Sequence, residues 1–215
     1  IRLKSDGRYL AVGSEDWLHT LKRDPKLQRA CEQFYFHKNS FSPEKSLRCV
    51  RNILDSLDIN KDYGLVHQLE LIPEPASLAF AGFDRYQRPL WMQSGAALAW
   101  KQMQKAARLE SIMLDAISGY RGHAYQYGIF KRKLARGQTV PEILKVNAAP
   151  GYSEHHNGRA IDIGTTNEPP AEETFENTAA FAWLMKHAGD FGFRLSYPRN
   201  NPHDINYEPW HWYFA

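Results

Sequence analysis

Cysteine is scarce: the 215 residues contain two, Cys31 and Cys49. Neither belongs to a Cys-x-x-Cys pair, which leaves no cysteine zinc site. In an exported protein the two could pair; the alternative is two separate buried thiols. Long apolar runs are also missing, and none approaches the roughly 18 residues needed to span a bilayer. Clustered basic residues are confined to Lys131-Arg132-Lys133, so the net charge of +3 and pI of 8.8 give little support for nucleic-acid binding. There is no internal repeat and no low-complexity tract. A composition of 43% hydrophobic and 24% charged residues is that of a globular chain, long enough for one sizeable domain or a domain with a smaller appendage. The first residue is Ile rather than Met, which suits a mature or trimmed chain from which a signal or anchor has been removed.

What is present divides by texture. Residues 16–36 mix charge and apolar positions at helical spacing (Trp17, Leu18, Leu21). Ser42-Pro43-Glu44 before Leu47, Val50, Ile53, Leu54 and Leu57 is a helix start, with a serine cap and proline in the first turn. Residues 65–71 suit a strand that Pro73 and Pro75 break. We therefore expect residues 1–81 to be a mainly helical subdomain or lid, and residues 82–215 to be the principal domain. Within the latter, Leu90-Trp91-Met92 is a strand candidate. Residues 96–117, free of Gly and Pro, are the clearest helix, ended by Ser118-Gly119. A second helix is expected over 125–134, a connector over 141–150, and a half-buried strand over 159–164 with Asp162 opposite Ile161 and Ile163. Residues 174–191 read as an amphipathic helix closed by Gly192, followed by strands over 193–197 and 207–214. Helices and strands mix without strict alternation. The expected class is α+β, a small and mostly antiparallel sheet flanked by helices, with an N-terminal helical extension.

Two stretches carry chemistry: Ser153-Glu-His-His-Asn-Gly-Arg-Ala-Ile-Asp162 and Glu208-Pro-Trp-His211. Together they offer two imidazoles, an aspartate and a free glutamate. That is the inventory of a catalytic zinc site, with three protein ligands and an open position beside a base. Spacing does not choose between His155 and His156. A lone histidine is more often structural than a ligand, and on their own Glu208 and His211 read equally well as a surface glutamate and a packed edge histidine. Glu208 and His211 are three apart and would face opposite ways in a flat strand. Both reach one metal only if Glu208 lies at the strand entrance or the strand bulges. A carboxylate that is not a ligand can take a proton from the activated water and deliver it to the leaving amine, and a cation such as Arg121 could neutralise the developing oxyanion.

Ser153-x-His155-x-x-Gly158-x-Ala160-x-Asp162, then Glu208-x-Trp210-His211, with Ser118-Gly-Tyr-Arg121 and Gln126 upstream, resembles the LAS metallopeptidases, and most of all their VanY-type D,D-carboxypeptidase branch and its L,D-carboxypeptidase cousins. The resemblance covers roughly residues 82–215. It implies a Zn2+ cofactor held by His155, Asp162 and His211, with Glu208 as general base and Arg121 stabilising the oxyanion. It also implies substrate contacts by Ser118, Gln126, Ser153 and Trp210. The implied substrate is the peptidoglycan stem peptide, cut to release its terminal D-alanine, in the bacterial cell envelope outside the cytoplasm. A stem-peptide endopeptidase and a non-catalytic zinc-bearing wall-binding module are the alternatives; the retained Glu208 and Arg121 argue against the latter. Gly122 stands where many relatives have serine.

Overall fold

The computed structural model describes residues 43–215. Two short helices open it, α1 (Pro43–Leu47) and α2 (Val50–Ser56), then one turn of helix, α3 (Tyr63–Val66). A hairpin follows, β1 (Ala79–Phe83) with β2 (Pro89–Met92), then the long helix α4 (Ser94–Leu109) and β3 (Asp115–Ser118). Helices α5 (His123–Leu134) and α6 (Val140–Leu144) precede a 3-10 turn (Glu154–Asn157) and β4 (Ala160–Gly164). The chain closes with α7 (Ala179–His187), flanked by the 3-10 turns Glu173–Asn177 and Ala188–Phe191, then β5 (Phe193–Leu195) and β6 (His211–Phe214). The principal sheet is antiparallel throughout, in the order β3-β4-β6-β5. The α+β expectation holds.

Two apolar clusters support it. One joins Trp100 and Met103 of α4, Ile161 and Ile163 of β4, Trp212 of β6 and Leu184 of α7. The other joins Val50 and Leu54 of α2, Tyr63, Phe130 of α5, Ile143 of α6 and the loop residues Tyr197 and Ile205. Residues 43–81 thus pack into the same body as the rest. Residues 43–215 form one compact unit, and the boundary expected after residue 81 falls inside β1. The expected helix over 16–36 lies outside the described residues, as does Cys31. Cys49 is exposed, which removes it from the buried-thiol alternative. No helix among the described residues is long and apolar enough to cross a membrane.

Several elements differ from their sequence patterns. The helix expected to reach residue 117 ends at Leu109. Ser111 turns left-handed (φ 60°), and the apolar residues beyond it, Leu114, Ala116 and Ile117, are buried from the loop and strand that follow. The strand expected over 65–71 does not form; α3 occupies its start and Gln68 has φ 50°. The connector over 141–150 holds α6, whose start is a capping box between Thr139 and Glu142. Residues 174–191 are broken at Thr178, whose side chain caps α7 by accepting from the Phe181 N–H. The strand expected over 159–164 is buried at all five β4 positions rather than on one face.

Candidate metal centre

Sheet register builds the site. Asp162 pairs with Ser118 of β3 on one side and with His211 of β6 on the other. Three residues far apart in sequence therefore stand side by side on one face, opposite the buried Ile161 and Ile163. His155 arrives from the 3-10 turn just before β4. The return is made at Gly158, with φ +74°; a Cβ there would meet Leu78 Cδ2 at 2.8 Å and the Gln93 nitrogen at 2.9 Å. The loop after β3 is equally close-fitting, because a Cβ on Gly119 would lie 2.6 Å from Leu90 Cδ1 and 3.0 Å from the Trp91 carbonyl oxygen.

The structure decides between the neighbouring histidines. His156 donates from Nδ1 to the Arg121 carbonyl (2.6 Å) and accepts at Nε2 from the Gly151 N–H (3.0 Å), so both nitrogens are used internally. Burial lowers its pKa to about 3, and it is a neutral brace. His155 donates from Nδ1 to the Gly119 carbonyl (2.7 Å), which fixes the tautomer and leaves Nε2 as an acceptor. That Nε2 is buried, has no hydrogen-bond partner, and lies 3.3 Å from Asp162 Oδ1. Burial and the nearby Arg121 lower its pKa to about 4, so it is the neutral imidazole that a metal requires.

His211 directs Nδ1 at Asp162 Oδ1 (3.1 Å) and donates from Nε2 to Glu154 Oε2 (2.9 Å). Burial opposes its charge, yet the hydrogen bonds to Asp162 and Glu154 hold its pKa up at about 10, and a metal bound at Nδ1 would have to displace that proton. Burial likewise opposes ionisation of Asp162, but His155, His211 and Arg121 keep it well below the usual carboxylate range. Ligand atoms of His155, Asp162 and His211 all lie within 4.8 Å of one another. Tetrahedral ligands at about 2 Å from a zinc ion stand about 3.3 Å apart, so the spacings of 3.3 and 3.1 Å fit. Two imidazoles, one of them with an orphaned nitrogen, and one carboxylate form a donor set suited to Zn2+.

Glu208 meets the geometric demand set by its odd spacing from His211. It precedes the strand, in a turn closed by the His211 N–H on the Glu208 carbonyl (3.1 Å), and its Oε2 comes 3.8 Å from His211 Nδ1. Burial, reinforced by Asp162 and Glu154 against the pull of His211 and Arg121, raises its pKa to about 7. Arg121 reaches Asp162 Oδ2 (3.4 Å) and Ser118 Oγ (3.3 Å) through Nη1. A cavity of about 380 Å3 opens over these groups, lined by Arg121, Lys133, Asn147, Asp162, Glu208 and Trp210 among others. Ser153 and Gln126 are buried and do not line it; Gln126 donates from Nε2 to the Ala148 carbonyl (2.9 Å). Sequence reasoning missed Glu154 and Lys133. The first sits inside the histidine motif without a spacing signal, and the second lies on an otherwise exposed basic helix end.

Known proteins share this architecture. The family described as VanY, D-alanyl-D-alanine carboxypeptidase, matches residues 89–215, more than half of the chain. The Bacillus subtilis protein YodJ is 35% identical over 84% of the chain, which spans 66% of YodJ, just under two thirds of that protein's length. The solved structure of the LdcB LD-carboxypeptidase, described with its peptidoglycan recognition, aligns at 32% identity with a TM-score of 0.60, covering 66% of this chain and 69% of that one. The vancomycin-resistance D,D-pentapeptidase VanY, solved as a variant in complex with Zn(II), shares the fold at 24% identity and a TM-score of 0.52, over 68% of this chain and 84% of its own. Half-chain agreement with one family, reached over the segment that carries the buried His-Asp-His cluster, makes this chain a member of the VanY D-alanyl-D-alanine carboxypeptidase family.

Proposed function

We propose that the protein removes the terminal D-alanine from peptidoglycan stem peptides, in the cell envelope outside the cytoplasm, with zinc held by His155, Asp162 and His211. The observation that carries this is Glu208: a buried carboxylate that ligates nothing in the His155-Asp162-His211 cluster yet stands 3.8 Å from His211 Nδ1, in the wall of a cavity that also holds Arg121. Bound zinc supplies Lewis acidity, which brings the pKa of a coordinated water to about 7 and polarises a carbonyl. Glu208 accepts the proton of the attacking water and passes it to the departing amine. Arg121, oriented by Asp162 and Ser118, meets the negative charge that develops on the scissile carbonyl oxygen. Trp210 forms part of the cavity wall against which the peptide lies.

The 32% identity with an LD-carboxypeptidase motivates assaying a tetrapeptide ending in D-alanine beside the pentapeptide. Zinc-loaded protein should release D-alanine from at least one of them, and Glu208→Ala should lower kcat at least about 100-fold with zinc still bound. Full turnover by Glu208→Ala would remove the proposed base. Mass spectrometry of digested muropeptides that found internal cleavage without loss of alanine would make the enzyme an endopeptidase instead.

A further inference from the structure

A peptidase that takes only the last residue must sense the free carboxylate at the end of its substrate. Asp162, Glu172, Glu173 and Glu208 line the cavity, so the place where an anionic chain end can rest is set by the cations among them. Two cations are available in the lining, Arg121 and Lys133. Arg121 has its Nη1 turned to Asp162 and Ser118, on the metal side, where the scissile carbonyl must sit.

Lys133 is placed differently. It lies one residue before the end of α5 and donates from Nζ to Asn147 Oδ1 at 2.6 Å. Its hydrogen-bond partner is therefore a neutral amide, which fixes the ammonium without cancelling its charge. An ammonium has three donors, so two remain for a ligand. Burial lowers its pKa, against the raising effect of Glu208, which marks it as partly withdrawn from water and close enough to the proposed base to feel its charge.

We propose that Lys133, steadied by Asn147, receives the α-carboxylate of the residue being released and so makes this site selective for chain ends. This rests on the carboxypeptidase reading above. Carbonyl polarisation and carboxylate binding are then divided: Arg121 acts at the bond that breaks, and Lys133 at the far side of the leaving amino acid. Asn147 is a positioning residue, acting through the ammonium it holds.

The test uses the full zinc-loaded chain and two probes, an N-acetylated peptide ending in L-Lys-D-Ala-D-Ala or L-Lys-D-Ala and its C-terminal amide. Wild-type protein should prefer the free acid. Lys133→Met should raise KM for the acid about 10- to 100-fold, with a much smaller change in kcat, and collapse the acid-to-amide ratio. Lys133→Arg should restore part of the preference. Asn147→Asp, which gives the ammonium an anionic partner, should weaken the acid selectively. Calorimetric binding of both probes in the Glu208→Ala background, with and without Lys133→Met, gives the same comparison without turnover. An acid-to-amide ratio that Lys133→Met leaves intact, in turnover and in binding, overturns the proposal. Failure of wild-type protein to release D-alanine from any probe defeats the carboxypeptidase reading instead, and the binding comparison still decides the role of Lys133.

Discussion

Each imidazole at the centre offers two nitrogens, and a metal can use only one. For His211 the choice is made by Glu154, which accepts from Nε2 at 2.9 Å and leaves Nδ1 facing Asp162. Tyr197 packs against the same ring, 4.7 Å between centroids. Arg194 in turn lies 3.4 Å from Glu154. A carboxylate that orients a ligating histidine typically contributes 10- to 100-fold in metal affinity. Glu154→Ala should therefore weaken zinc binding by about that factor in a chelator competition, with an unaltered circular dichroism spectrum; unchanged affinity would reduce Glu154 to a surface ion pair with Arg194. None of this can be read in the sequence. The motif places Glu154 beside His155, but its partner His211 is 57 positions away, and only the sheet register makes them neighbours. Spacing left His155 and His156 open for the same reason, since the choice depends on which backbone carbonyls surround each ring, and only the family motif favoured His155.

At the scale of elements, periodic patterns were legible where burial follows a single face. Helix α5 and strand β2 form close to where apolar spacing puts them, and so does β4, although it is buried on both faces. Errors arose where the chain turns without Gly or Pro. Ser111 and Gln68 adopt left-handed conformations that composition does not announce. The capping box at Thr139 and Glu142 was a readable start for α6, obscured by the proline between them. Gly158 is the turn on which the site depends, since it reverses the chain between His155 and the strand carrying Asp162. A side chain there faces both a left-handed φ and a contact under 3 Å with the backbone of Gln93. Gly158→Ala should destabilise the protein by about 1–3 kcal/mol, seen as a lower midpoint in thermal denaturation. It should also weaken zinc binding, because relief of the clash displaces His155. A variant as stable as wild type with full zinc affinity would mean the turn can be made another way.

Across the whole described body, the segment before the hairpin holds the site in place. Glu74 accepts from the Tyr120 hydroxyl (3.0 Å) and the His123 N–H (2.7 Å), on either side of Arg121. His123 contacts the carbonyls of Ser46 (3.2 Å) and Ile72 (2.8 Å), and the Ile72 N–H donates to the Gly151 carbonyl (2.7 Å). Val50, Leu54, Leu57, Ile59 and Tyr63 cover Phe130, Ile143 and Tyr197, the last of which packs on His211. This dependence escapes a reading by motifs, because residues 43–81 carry no chemistry of their own and supply only surfaces. Removing them would uncover a cluster of large apolar side chains at about 1.5–3 kcal/mol each, comparable in sum to the usual margin of a domain's stability. A fragment of residues 82–215 should accordingly lack a cooperative thermal transition and bind zinc weakly, whereas residues 43–215 should melt cooperatively and keep zinc affinity. A cooperative melt from the shorter fragment, with zinc bound as tightly, would make residues 43–81 an accessory rather than half of the core.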